Sequence, residues 1–252
     1  MKKLLVHLSE LLPYDRKRGY SKQAWSVIAL LAFATAGSAF AQAAPSAREI
    51  LDGVRLRESQ QQLSLEGQIR QENIVIPFQL QQSGPLVRYV FSNPEEALQL
   101  HLGDNDSRLE EVTKQGTERV APAQLDKRVR GTAITYEDLA LKFIYWNNAR
   151  VTGSENIKTR DCWKLQVQAP SKQSQYSSVN LWIDKSGGAL MRVEGFNASG
   201  QLAKKFEVVS AQKIDGRWFL KQMRIEEILP GTNTVRARTY LEIKNNPKPR
   251  GS

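Results

Sequence analysis

One cysteine and two histidines are all that 252 residues contain, and that scarcity removes several kinds of chemistry. A lone Cys162 forms no internal disulfide. Without a Cys cluster or a His pair, no zinc-ligand spacing exists, and no metal is expected. His7 lies in the N-terminal segment, so His101 stands alone on a strand-like stretch, where a surface or hydrogen-bonded core imidazole is the ordinary reading. Cys162 precedes Trp163 with no neighbouring His or Lys, which fits a buried, inert thiol. Phosphate-cradling glycine loops and a nucleophile-elbow serine are also missing. "DNDSRLEEV" opens like a calcium loop but lacks its central Gly and its spaced final Glu, and reads as a turn. Glu95–Glu96, Glu110–Glu111 and Glu226–Glu227 are adjacent pairs on strands, and neighbours on a strand point to opposite faces. They cannot converge as acid and base. No enzyme and no cofactor are expected.

Long apolar runs are missing as well, apart from one near the start. Lys2, Lys3, Arg16, Lys17, Arg18 and Lys22 form a basic n-region. "AWSVIALLAFATA" (24–36) follows as an apolar h-region, and "GSAFAQA" (37–43) supplies small residues for cleavage after Ala41 or Ala43. The run falls short of the ~20 residues of a membrane-spanning helix. Residues 1–43 are therefore expected to be an export signal, with an uncleaved anchor as the alternative. An exported chain without disulfides must rely on its core, and about 210 residues are enough for one domain. The domain is placed at 44–245, with 246–252 as a polar tail.

The formal charge of +10 is partly the signal's, and +6 remains beyond residue 43. The charges are spread along strands, with only "KRVR" (127–130) and "KK" (204–205) clustered, which reads as a solvated outer face. Nucleic acid is a poor partner for an exported chain, and a monomer is expected.

Ser46 and Glu49 have capping-box spacing ahead of Ile50, Leu51 and Val54, which predicts a helix. From Leu63 the period drops to two: "LSLEGQIRQ" (63–71), "IVIPFQLQQ" (74–82), "PLVRYVFS" (85–92), "ALQLHLG" (97–103) and "RLEEVT" (108–113) predict consecutive antiparallel strands. Residues 114–134 are polar and aperiodic, a long loop and candidate lid. "TYEDLALKFIYWNNA" (135–149) returns to helical spacing, with Thr135 and Asp138 as a cap pair and Leu139, Phe143 and Trp146 on one face. Six further strands follow: "CWKLQVQAP" (162–170), "SSVNLWID" (177–184), "ALMRVEGF" (189–196), "LAKKFEVV" (202–209), "WFLKQMRIEEI" (218–228) and "TVRARTYLEI" (234–243). The Gly- or Asn-bearing "KSGG", "NASG", "KIDG" and "PGTN" separate them. Eleven strands in one sheet call for strong curling, so a mainly β, partly closed barrel with about two helices is predicted.

Alternation assigns the apolar side of this sheet. Phe78, Leu80, Tyr89 and Phe91 would line it from the N-terminal strands. Leu181, Ile183, Met191, Val193, Phe206 and Val208 continue it, and Met223, Ile225, Leu241 and Ile243 complete it. Either two thin helices leave a hollow there, or helices and loops fill it as a plain core.

The order of signal, helix, strands, helix and strands resembles the LolA and LolB carrier superfamily. Its second half is similar to the branch called outer membrane lipoprotein-sorting proteins. The shared pattern falls on Tyr176 and Ser177, on Trp182, Ile183, Asp184 and Lys185, and on Gly200, Leu202 and Lys204. It continues through Gly216 and Trp218 to Gly231 and Thr234. It covers about residues 130–245; the N-terminal half fits in outline. Where the family commonly has a Pro just after its Gly-x-Trp turn, this chain has Leu220 and Lys221. The resemblance implies a half-open barrel with helices as a lid, periplasmic residence, and acyl chains of lipoproteins or lipids as cargo, without catalytic residues. It also implies an inner-membrane transporter and an outer-membrane acceptor as partners. The alternative on the same fold is an envelope sensor or transporter-associated interaction module.

Overall fold

Reciprocal capping starts the ordered chain. In a computed structural model, which describes residues 44–214 and 217–244, the Glu49 backbone N–H donates to the Ser46 hydroxyl, and the Ser46 N–H donates to the Glu49 carboxylate at 2.7 Å. Helix α1 (Ala47–Glu58) follows and buries Ala47, Leu51 and Val54. The segment read as an export signal, the Gly216 turn position and the polar tail lie outside the described residues. Among the described residues no helix is long and apolar enough to cross a membrane.

A first meander comprises β1 (Gln62–Gln71), β2 (Ile74–Ser83), β3 (Leu86–Phe91), β4 (Glu96–Leu102), β5 (Ser107–Thr113) and β6 (Gly116–Arg119). A second comprises β7 (Asn148–Ile157), β8 (Arg160–Gln168), β9 (Ser178–Asp184), β10 (Leu190–Phe196), β11 (Leu202–Ile214), β12 (Arg217–Ile228) and β13 (Val235–Ile243). Both belong to a single antiparallel sheet in the order β6-β5-β4-β3-β2-β1-β13-β12-β11-β10-β9-β8-β7. The sheet does not close: β6 and β7 are its two edges. The chain leaves one edge at Arg119 and re-enters at the other at Asn148, so residues 120–147 must travel from edge to edge.

Two strands escaped the sequence pattern. Every residue of β6 is exposed and β7 buries only Ile157, so neither shows the alternation that reveals a half-buried strand. The helix expected over 135–149 is a correction. Only α2 (Tyr136–Leu139) is α-helical; Leu141 adopts a left-handed backbone (φ 48°), and a 3₁₀ turn covers Lys142–Tyr145. An unbroken helix would have turned Ile144 or Tyr145 away from the core. The break lets Phe143, Ile144, Tyr145 and Trp146 all be buried, and that burial outweighs helix continuity.

The meanders meet at the β1–β13 pairing, whose register sets Gly67 opposite Ile243 and Gln71 opposite Thr239. On the outer face of this seam Glu242 accepts from Gln68 at 2.5 Å, Arg70 at 2.7 Å and Gln222 at 2.9 Å, tying β1, β13 and β12 together. Partial burial would raise this carboxyl, but those donors draw it down to about 2. A carboxyl whose folded pKa lies below its unfolded value stabilises the fold above the unfolded pKa and loses that contribution as pH falls. Between pH 4.5 and about 2, the protein should lose on the order of 2 kcal/mol through this group alone. In urea unfolding at pH 7 and pH 3, Glu242→Gln should therefore show a smaller acid loss than the native chain.

Candidate functional site

Pleating and register bring the predicted lining residues to one face. Phe78 pairs with Phe91 and Leu80 with Tyr89 across β2–β3, and Val193 lies between Leu181 and Phe206. Phe206 faces Ile225, and Val208 faces Met223, which in turn faces Leu241. One continuous apolar cluster unites this face with Leu51 and Val54 of α1 and with Phe143 to Trp146. Ile183 and Ile243 are buried in it. Gly67 leaves room for the Phe78 ring: a Cβ there would lie 2.6 Å from it.

Met191 is the exception. An irregularity between Leu190 and Arg192 shifts the β9–β10 register and turns Met191 to the opposite face, where it packs with Ile157, Cys162 and Trp182. A bulge of this kind reverses side-chain direction and leaves no mark in the alternation. Trp182 is an outer-face residue, its indole N–H donating to Glu155 at 2.8 Å between Lys164 and Arg192.

The apolar face is covered. From Thr132 to Ala140 nine consecutive residues are buried, so the end of the stretch expected as a loop and lid (114–134) and the start of the expected helix are threaded across the interior, while Gly116–Arg119 forms an exposed strand. Two clefts among the described residues, one beside Phe78 and one beside Arg130, measure ≈ 230 Å³ and ≈ 210 Å³, below the roughly 300–1,000 Å³ of small-molecule pockets. Phe78 alone of the predicted lining residues borders either one. In this conformation the apolar face is covered by residues 129–146 and α1.

What holds the cover in place is polar. "KRVR", expected as a solvated face, is a clasp: Lys127 pairs with Glu111 at 2.5 Å, Arg128 with Glu227 at 2.8 Å and Arg130 with Glu96 at 2.8 Å. Arg130 also donates to the carbonyls of Asn93 and Pro94, and its guanidinium lies 4.8 Å from the Phe91 ring centroid. The Ala133 N–H donates to Gln71 at 2.8 Å.

Deeper in, Asp138 gathers a buried network. It accepts from Lys204 Nζ at 2.6 Å, the Tyr176 hydroxyl at 2.7 Å, the Thr135 N–H at 2.8 Å and Gln175 at 3.3 Å. The Asp138 and Lys204 side chains are 1% and 6% exposed. Burial, with Asp138 beside it, pushes the Tyr176 hydroxyl well above its ordinary range. Burial likewise raises the Glu137 carboxyl, which Ser174 and the Gln175 N–H partly compensate. Gly195 admits the Tyr176 ring, since a Cβ would stand 2.4 Å from it.

The motif residues thus have structural duties. Tyr176 and Lys204 anchor the cover. Asp184 accepts from the Gly187 N–H at 2.7 Å and from Ser186, shaping the "KSGG" turn. Lys185 pairs with Asp161 at 3.0 Å and lies over Trp163. Sequence reading found Tyr176 and Lys204 separately and Asp138 as a cap; only the fold shows that they meet. His101 pairs with Glu110 at 2.9 Å on the outer side, and Cys162 is fully buried with its thiol pushed up by burial. Among the described residues no group of three or more His, Cys, Asp or Glu is placed to hold a metal.

Lys204→Met should cost about 3–5 kcal/mol, because Asp138 is left buried without its cation. The thermal midpoint should fall by on the order of 10 °C, and high salt should change that loss little. Arg128→Ala, at the exposed clasp, should cost at most about 1 kcal/mol and be screened by salt.

Residues 113–248 match the model of a family described as uncharacterized protein. Among solved structures, a DUF1329 family protein of Desulfovibrio piger superposes with a TM-score of 0.62 at 19% identity, covering 82% of this chain and 96% of that one. A domain assigned as an outer membrane lipoprotein-sorting protein, from Vibrio parahaemolyticus, gives 0.62 at 17% identity, covering 79% and 90%. A LolA superfamily protein of Nitrosomonas europaea gives 0.58 at 18% identity, covering 80% and 93%. No curated protein matches the chain. These identities speak for the fold: a mainly β, open antiparallel sheet of the LolA type.

Proposed function

We propose a function from the premise that the chain belongs to the uncharacterized-protein family matched over residues 113–248 and carries a LolA-type fold. It is a non-catalytic carrier that shelters acyl chains of lipoproteins or lipids against the concave face of its sheet. Residues 44–245 are its single domain, released into the periplasm after removal of residues 1–43. It loads from an inner-membrane transporter and delivers to an outer-membrane acceptor.

The observation that carries this reading is the construction of the cover. The sheet's apolar face is complete without residues 120–146, and at its rim that segment is held by three ion pairs. A guest enters by taking the cover's place. Each CH₂ transferred from water contributes about 0.8 kcal/mol, so a chain of ~15 carbons supplies roughly 12 kcal/mol toward displacing it. The same closure provides for release, because the returning cover competes with the cargo. The filled interior also favours a second reading, an envelope sensor or transporter-associated module whose resting state is closed and which recruits proteins.

Arg130→Ala removes the clasp beside the ≈ 210 Å³ cleft. It should raise the population of the open form and so strengthen uptake of a fluorescent fatty-acyl probe severalfold, while lowering the melting temperature slightly. Mass spectrometry of native protein should find co-purified acyl lipids. A protein that arrives empty, with neither chain taking up probe, speaks for the sensor.

A further inference from the structure

The β11–β12 hairpin outgrows its neighbours. On β11 the pairing with β10 ends at Glu207, and on β12 the pairing with β13 ends at Gln222. Beyond those points the two strands continue paired only with each other, from Ala211–Leu220 through Gln212–Phe219 to Lys213–Trp218. They form a two-stranded ribbon that projects past the sheet. Phe219 packs back on the core cluster and so fixes the ribbon's orientation. Trp218, its neighbour along the strand, points the other way and is 62% exposed.

An indole this exposed is costly in water and needs an account. Trp146 and Trp182 are buried and Trp163 packs on the core, which makes Trp218 the exposed tryptophan among the described residues. One cation lies against the ring and two more flank the ribbon. Lys213 is its cross-strand partner, the Arg160 guanidinium lies 5.7 Å from its ring centroid, and Lys158 reaches the ribbon by donating to the Val209 carbonyl. Lys158 and Lys213 are exposed and make no ion pair with a described residue. Arg160 is shared with Asp184 at 3.9 Å. An exposed amphipathic ring with ammonium groups that form no ion pair among the described residues matches a headgroup layer: tryptophan favours the membrane–water interface, and cations are drawn to anionic lipid.

We propose that the β11–β12 ribbon docks the protein on an anionic phospholipid surface, seating Trp218 at headgroup depth with Lys158, Lys213 and Arg160 on phosphates. This stands apart from the cargo reading, because the ribbon lies outside the covered face. It gives the protein a defined end with which to meet a membrane.

The test uses purified protein with vesicles of phosphatidylcholine alone or mixed with phosphatidylglycerol, read by co-sedimentation and tryptophan emission. Binding with a blue shift is expected on the mixed vesicles only, weakening with salt, and brominated lipid should quench the shifted emission. Trp218→Ser should abolish the shift and lower binding at least tenfold. Lys158→Gln and Lys213→Gln should each lower binding about fivefold. Leu229→Ser, at an exposed apolar residue on the β12–β13 turn, should leave binding unchanged. An unaltered melting temperature certifies that each variant folds, and unaltered acyl-probe uptake without vesicles separates docking from cargo binding. Equal binding to neutral vesicles overturns the proposal, as does full binding by the Trp218 and lysine variants, or loss confined to Leu229→Ser.

Discussion

Covering the inner face of an open sheet is the constraint on which this structure depends. Two antiparallel meanders are joined at β1–β13, so the sheet's edges, β6 and β7, are separated in space but consecutive in the chain. The connection between them has to cross the molecule, and the apolar face is where crossing is favourable. Residues 129–146 bury Val129, Ile134, Leu139 and four successive apolar residues, Phe143 to Trp146, against that face. Nine unbroken buried positions would strand backbone and side-chain polar groups unless the sheet met them. Lys204, Gln71 and Thr239 of the sheet do so, together with Tyr176 just ahead of β9.

The energetic character of the cover differs along its length. At the rim, the Lys127 and Arg128 pairs have half-exposed cations, contribute little each and yield to salt or to a competing surface, while Arg130 is the more enclosed of the three. In the interior, the Asp138–Lys204 pair is expensive to break and gives direction more than stability, since only one seating of α2 satisfies it. A cover with loose edges and a strict registration point can lift and return to one place. A carrier that must release a greasy guest needs that combination, and so does a sensor that must reset.

How much of this was legible in the sequence depended on whether a residue's environment was two-sided. Half-buried strands such as β2, β9 and β13 announce themselves by alternation, and the row from Phe78 to Phe91 and from Leu181 to Ile243 was readable for that reason. β6 and β7 were missed because exposed edges do not alternate. Residues 135–149 read as one helix because burial on all sides mimics a broad apolar face, and the break at Leu141 follows from tertiary packing. Met191 was assigned to the wrong face because a bulge changes parity without changing composition. The clasp was overlooked since charged residues read as solvent-facing until their carboxylate partners, far away in sequence, are known. Tyr176 and Lys204 were visible as motif positions, but their shared partner, Asp138, required the fold.

Hydrogen–deuterium exchange across residues 120–146, with and without an acyl-chain ligand, tests the central claim most directly. The account predicts strong amide protection from Thr132 to Ala140 in the empty protein. That protection should be lost on ligand binding, while β1, β9 and β13 keep theirs. A ligand that binds while these amides stay protected would contradict the account, because the apolar face would then not be where the guest goes.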